Sequence, residues 1–375
     1  MVINEEQLIS ILKNSKNVLL IEPPYKSTFI PLGLAKISSF IKNNGGKVEF
    51  SRVPIPGNFD LICITSMFTN NIDRVENVIK KCHRSFFLNK IPILLGGIAA
   101  SLVQSDVFDK VDIFKGYSQI LDQIIPDYSL NYGVKSPWDS YSYLFTQRGC
   151  VNKCKYCMVH KLEPKLWINP KWKNMILDRL PNIMISDNNI LATNKKHSEE
   201  VLIYLAEIQK PVLFNNGIYA KIINKDNAKL LAKIKYSRSG LRTAFDRLED
   251  DGYYQRGMQY LIDAGAKIQG NSLTYILFNF EDTPQEAYYR AQEAWKFKSN
   301  PYLMKYRPFD SEKKGHFIGK YWTGNLTKAF SLWGQLYGYN RGDKTFEGFM
   351  ESGLTKLKTK IRLTNEDWDK WYYKR

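Results

Sequence analysis

Histidine and cysteine are both scarce in this chain: four histidines and five cysteines in 375 residues, with no histidine among the first 82. Three of the five cysteines fall within positions 150–157, which argues against a disulfide framework and for a reducing interior. No run of about 18 apolar residues exists, so no transmembrane helix is expected. The start, Met1-Val-Ile-Asn-Glu-Glu6, lacks the basic-then-apolar pattern of a signal peptide. A cytoplasmic protein with no membrane partner is the expectation. No internal repeat or low-complexity tract stands out.

Acidic residues are also under-represented: 37 Asp and Glu stand against 54 Lys and Arg, a formal net charge of +17. Residues 141–240 alone carry 17 basic against 7 acidic side chains. Such an excess suits a polyanionic partner such as a nucleic acid. It also suits biased codon usage, because Lys outnumbers Arg 40 to 14. Both explanations stand at this point.

What is present is mostly α/β patterning. Apolar strand-like runs occur at Val18–Ile21, Lys47–Phe50, Leu61–Ile64, Ile93–Leu95 and Val111–Phe114. Helical stretches lie between them at Leu32–Asn43, Asn71–Phe86 and Ala99–Phe108. Continuous apolar strands alternating with helices predict a parallel sheet covered on both faces. Residues 1–132 are therefore expected to form a doubly wound, flavodoxin-like domain with its ligand crevice beyond the carboxyl strand ends. Asn131-Tyr-Gly-Val-Lys-Ser-Pro-Trp138 reads as a linker. Six further βα units are expected over 138–310, on strands near Tyr143–Thr146, Asn182–Ser186, Pro211–Phe214, Gly240–Phe245, Ser272–Phe278 and Tyr302–Met304. Residues 311–375 break that rhythm. They are rich in aromatics, among them Trp322, Trp333, Tyr337, Tyr339, Trp368 and Trp371, and read as a C-terminal helical extension. Cys63 and Cys82 sit in apolar contexts and read as packing residues.

The chemistry concentrates in Thr146-Gln-Arg-Gly-Cys150-Val-Asn-Lys-Cys154-Lys-Tyr-Cys157, on the loop after the first strand of the second series. Three thiolates in this C-x3-C-x2-C spacing suit three irons of a [4Fe–4S] cube, leaving the fourth iron open. Zinc held by the same cysteines with His160 is the competing set. Against zinc, its modules place ligand pairs a dozen or more residues apart, and these four residues share one loop.

The spacing, with Tyr156 just before the last cysteine, resembles the radical SAM superfamily. That resemblance implies a partial (βα)6 barrel over 138–310. Its cluster is held by Cys150, Cys154 and Cys157, and its open iron chelates S-adenosylmethionine (SAM). It further implies reductive cleavage to a 5′-deoxyadenosyl radical, oxygen sensitivity, and an electron donor such as a flavodoxin or ferredoxin. Asp187 and Asn188 resemble the Asp-Asp-Asn-like run of one branch and are implied SAM contacts, with Tyr156, Asn215 and Arg242. Each has a plain alternative: Asp187 caps the next helix, Asn215 belongs to a turn, Arg242 pairs with Asp246. In the 278–284 turn, Asn279 stands where glycine is usual.

The first domain resembles the cobalamin-binding domains that precede many radical SAM barrels. Glu22-Pro-Pro24, Pro31-Leu-Gly-Leu-Ala35, Thr65-Ser66 and Leu95-Gly-Gly97 carry that resemblance. Pro24, Tyr25, Thr65, Ser66, Gly96 and Gly97 are the implied corrin contacts. The Asp-x-His-x-x-Gly motif that supplies an axial histidine is absent. The resemblance thus implies a radical SAM enzyme, with cobalamin-dependent methyl transfer to an unactivated carbon as one outcome. A cobalamin-free enzyme that modifies a nucleic acid by rearrangement or sulfur insertion is the alternative. A non-enzymatic zinc- or cluster-bearing nucleic-acid-binding protein is the third reading.

Overall fold

The computed structural model describes residues 1–25, 27–86, 90–103, 108–309, 317–338, 345–354 and 361–373. The chain is α/β with parallel sheets, divided into two compact units. The first holds Met1–Gly149, Met158–Pro181 and Phe309–Lys314; the second holds Cys150–Cys157, Asn182–Pro308 and Gly315–Arg375.

The first unit is built on β1 (Val2–Ile3), β2 (Asn17–Ile21), β3 (Lys47–Ser51), β4 (Leu61–Thr65), β5 (Ile93–Gly96) and β6 (Asp112–Phe114). Helices α1 (Glu5–Asn14), α2 (Leu32–Asn43), α3 (Ile72–Ser85), α4 (Ile98–Leu102) and α5 (Gln119–Asp122) connect them. The strands form one parallel sheet in the order β1-β6-β5-β4-β2-β3. The five expected strands are all present. β1 and α1 were not anticipated: β1 is two residues long, too short to show an alternation. α4 ends at Leu102, and positions 104–107 of the expected Ala99–Phe108 helix lie outside the described residues.

The central strands β2, β4 and β5 are apolar because each face is covered, whereas the edge strand β3, Lys47–Ser51, is mixed. Leu19, Ile21, Ile62 and Ile64 pack with Val75 and Ile79 on one side. Val18, Leu20, Leu61 and Cys63 pack with Leu12, Leu34 and Ile41 on the other. Successive side chains alternate between two cores, so a period-2 sequence signal disappears. Cys63 and Cys82 lie in these cores; burial pushes both thiols up, Cys82 to about 12. The 131–138 stretch lies within the first unit: the carbonyl of buried Tyr132 accepts from Arg52 at 2.9 Å, and its ring meets Phe50 edge-on. Also in this unit are β7 (Tyr141–Leu144), the antiparallel pair β8 (Gln147–Arg148) and β9 (Trp167–Ile168), and the short helix α6 (Val159–Leu162).

In the second unit, β10 (Asn182–Ile185) pairs in parallel with β11 (Val212–Phe214). β12 (Ile218–Tyr219), β13 (Leu241–Ala244), β14 (Ser272–Phe278) and β15 (Asn300–Lys305) form a second parallel set. The Phe214 N–H donates to the Gly240 carbonyl at 2.9 Å, so β11 abuts the start of β13. Helices α7 (Lys195–Ile208), α8 (Lys225–Lys233), α9 (Tyr253–Asp263) and α10 (Pro284–Lys296) are the crossovers. After β15 come α11 (Gly324–Tyr337), a short turn α12 (Phe346–Gly348) and a last helix, Asn365–Tyr372. Trp322, Phe330, Trp333, Phe346 and Trp371 bury against β14 and α10. These C-terminal aromatics are core, while Tyr372 and Tyr373 are exposed and Tyr339 lies outside the described residues. Among the described residues no helix is long and apolar enough to cross a membrane.

Candidate functional site

Two short strands, β8 and β9, bracket the cysteine segment. Gly149 opens it with φ +84°, and a Cβ there would stand 2.6 Å from the Lys165 carbonyl oxygen. Only glycine accepts both conditions. Beside it, Arg148 donates through Nε and Nη2 to the two Asp122 oxygens at 2.6 and 3.0 Å, and through Nη1 to Glu163 at 2.9 Å. Glu163 in turn accepts the Gly149 N–H at 2.7 Å. Buried Lys36 donates to Asp122 at 2.5 Å. The fully buried Asn169 amide ties the Asp122 and Phe145 carbonyls together. Burial pushes the Asp122 carboxyl up, but Arg148 and Lys36 together outweigh it and hold the group down at about 2. Within the first unit, Arg148, Gly149 and Glu163 are therefore joined to Asp122 in one charged clamp. Sequence reasoning missed Lys36, Asp122, Glu163 and Asn169, because the clamp joins distant parts of the chain.

The segment Cys150–Cys157 belongs to the second unit. None of the three cysteines is in a disulfide, and all three are half-buried. The Asn152 N–H donates to Cys150 Sγ at 3.4 Å, and the Cys157 N–H turns back onto the Cys154 carbonyl at 3.0 Å. The three sulfurs are not gathered round one point: among the described residues no three His, Cys, Asp or Glu side chains form a metal-holding group. The donor set itself, three thiols on one loop with a backbone N–H on one sulfur, fits an iron–sulfur cluster. His160, the fourth residue of the zinc alternative, lies on α6 with its Nδ1 buried and without a hydrogen-bond partner.

Tyr156 sits in this loop with its hydroxyl donating to Asp246 Oδ2 at 3.2 Å and its ring edge-on to Phe280. Asp246, just beyond β13, also accepts the Leu277 N–H at 3.0 Å. Burial raises the Asp246 carboxyl to about 6, against the pull of that N–H and of Arg290. A carboxyl raised by folding disfavours its own ionisation, so its cost grows from about pH 4 to pH 6 and is constant above. Asp246→Asn should then raise stability at pH 7 by up to about 3 kcal/mol. The gain should vanish below about pH 4. Denaturant midpoints at the two pH values check this; identical midpoints at pH 7 would contradict it.

The expected SAM contacts lie at the carboxyl ends of β10 and β11 and on β13. Arg242 donates through Nη1 to the Asn215 carbonyl at 2.9 Å and to the Tyr275 hydroxyl at 2.6 Å; Nη2 has no partner among the described residues. The Tyr275 hydroxyl also donates to the Asn215 carbonyl, at 2.8 Å. Asn216 donates to the Ser186 and Asp187 carbonyls at 2.9 and 3.2 Å, joining the two strand-end loops. Asp187 is buried and Asn188 half-buried. Two alternatives are corrected. Asp187 does not cap α7, which begins at Lys195 and is capped by Asn194. Arg242 does not pair with Asp246, whose oxygens face Tyr156 and Leu277 instead. In the turn after β14, Asn279 adopts φ +68° and is fully buried, donating to the Tyr306 and Phe317 carbonyls and accepting from Gly319. Asparagine tolerates this left-handed conformation and fills the space that glycine would leave. Asp282 pairs with Arg290, and Thr283 caps α10.

The residues expected against a corrin lie at or just after the ends of β2, β4 and β5, where Pro24 is exposed and Thr65, Gly96 and Gly97 are half-buried. Tyr25 is buried edge-on to Phe68, and Ser66 is fully buried. A Cβ on Gly97, which has φ +105°, would meet the Ser66 carbonyl oxygen at 2.4 Å. That glycine is thus required by the chain's own packing. Pro24 instead offers its carbonyl to Arg74 at 2.7 Å. Thr65 and Gly96 pair in register as the last residues of β4 and β5. Among the described residues the buried Ser66 Oγ has no hydrogen-bond partner.

No protein-family model matches the sequence, and no match is found among curated proteins.

Proposed function

We propose that the protein is an iron–sulfur enzyme of the radical SAM kind, with the cluster on the Cys150–Cys157 loop. The supporting observation is three cysteines, none in a disulfide, within eight residues of one loop, one of them receiving a backbone N–H. We take the first unit's sheet as a flavodoxin-like doubly wound domain, its order reversing between β2 and β4. The βα units that follow are taken as a partial (βα)6 barrel. Cys150, Cys154 and Cys157 would hold a [4Fe–4S] cluster, which would supply the electron for SAM cleavage. The chain's own residues do the holding. The Asp122–Arg148–Glu163 clamp fixes the Gly149 turn, and Tyr156 is fastened to Asp246. Arg242, held by Asn215 and Tyr275, presents Nη2 to an anionic group such as the SAM carboxylate. No step is assigned to cobalamin. Anaerobic reconstitution should load about four iron and four sulfide per chain, reducible by dithionite. Retention of zinc with no iron uptake would favour the zinc-binding alternative.

A nucleic-acid substrate is the second part of this reading, favoured by Lys153, Lys155, Lys161 and Lys165, all exposed. Among the described residues Lys155 alone of the four has a carboxylate near, Glu281 at 3.6 Å. If these lysines neutralise phosphates, affinity for single-stranded RNA should fall with salt, the log–log slope growing by roughly 0.7 per phosphate contacted. Lys161→Glu with Lys165→Glu should lower both affinity and slope. Equal slopes for wild type and the double variant would remove the nucleic acid from the proposal.

A further inference from the structure

In the second unit, an open groove with about 320 Å³ of accessible space lies between the end of β15 and one face of α11, with Leu332 and Ile361 as its apolar lining. That volume is at the lower end of the roughly 300–1,000 Å³ range of small-molecule pockets. Thr327, Ser331 and Gln335 fall at successive turns of α11 and line it with a polar stripe. Lys305, the last residue of β15, and Lys328 contribute two ammonium groups. Lys305 is half-buried and fixed by one hydrogen bond, Nζ to Thr327 Oγ1 at 2.9 Å. The hydroxyls of Thr327 and Ser331 are engaged as donors to the Gly324 and Thr327 carbonyls. They hold the lysine and the helix face in place and leave the ammonium N–H groups for a ligand. Among the described residues neither Lys305 nor Lys328 has a carboxylate partner, and no acidic side chain lines the groove.

We propose that this groove binds a phosphate group, with Lys305 and Lys328 as its cationic walls and the Gln335 amide as a further donor. Two ammonium groups with no counter-charge match a doubly charged anion better than a single carboxylate, and lysine serves phosphate as a point charge. Burial and the neighbouring charges of Arg307 and Lys328 all push the Lys305 ammonium below its ordinary range, a cost that a bound anion would relieve. A merely solvated lysine would be neither half-buried nor hydrogen-bonded to a buried threonine. The groove stands apart from the cysteine loop, and the inference does not depend on a cluster being there.

The phosphate has two possible sources, a free phosphate monoester or a nucleic-acid backbone, and two probes separate them. Full-length protein is titrated calorimetrically with inorganic phosphate and, separately, with a single-stranded oligoribonucleotide lacking terminal phosphates. Lys328→Glu is the main variant, since that side chain is exposed and its loss spares the core; Lys305→Met is the second, accompanied by a melting curve. Wild type should show saturable binding, weakened about tenfold or more by Lys328→Glu. Weakening with the oligonucleotide identifies a backbone phosphate. Weakening with inorganic phosphate alone identifies a free phosphate ligand. Binding of neither probe by wild type, or affinities unchanged in Lys328→Glu, would overturn the proposal.

Discussion

Cys150→Ala, Cys154→Ala and Cys157→Ala should each bring iron and sulfide loading to near zero and abolish SAM cleavage, while Cys63→Ala and Cys82→Ala leave both intact. The contrast follows from where the five thiols lie. Cys63 and Cys82 are buried in the two cores of the first unit, and burial raises them far from the thiolate form that binds metal. The other three are half-buried on one loop, outside the hydrophobic clusters. A cluster held by three ligands has no spare, so losing any one removes it. The cost of Cys63→Ala should appear only as lost packing, read from a melting curve. Full iron loading in any one of the three loop variants would contradict the assignment.

The second large effect is expected at Asp122. Its carboxylate is shared by Lys36 and Arg148 inside the first unit. Asp122→Asn leaves buried Lys36 without its counter-charge and Arg148 with Glu163 alone, a change that typically costs about 3–5 kcal/mol. Because the folded carboxyl titrates at about 2, below its ordinary value of 3.8, the clamp contributes fully above about pH 4. That contribution is lost as pH falls from there toward 2, about 2 to 3 kcal/mol in all. Asp127, held down at about 2 by Lys42, Ser129 and Ser38 against the upward push of burial, adds to the same window. Denaturant unfolding between pH 2 and 7 should therefore show wild type and Asp122→Asn converging at the acid end. A constant difference across that range would mean that the carboxylate is not the source of the stability. The variant should also hold iron less well, since Arg148 adjoins the Gly149 turn that opens the cysteine loop.

Much of the architecture was legible in the sequence, for a physical reason. The βα alternation predicts parallel sheets, and β2, β4, β5 and β14 coincide with apolar runs because those runs are buried, while the two-residue strands β1, β8, β9 and β12 left no such signal. The departure from glycine at Asn279 was visible in the sequence, but the positive φ of Gly149 and Asn279 was not read there. What escaped was long-range pairing. Nothing local distinguishes Lys36 from a surface lysine, yet it is buried against Asp122 far along the chain. Arg242 and Asp246 are four residues apart and looked like a pair; β13 ends between them, and their side chains are drawn to different neighbours. Gly97 invited a flat ligand, and only the structure shows Ser66 filling that space.

The account rests on a cluster with one iron left open by the protein, and electron paramagnetic resonance of the dithionite-reduced, reconstituted protein tests it directly. The account predicts a reduced [4Fe–4S] signal that changes shape and g-values when SAM is added, and no such change with a SAM analogue lacking the amino and carboxylate groups. A signal unaffected by SAM at saturating concentration would contradict it.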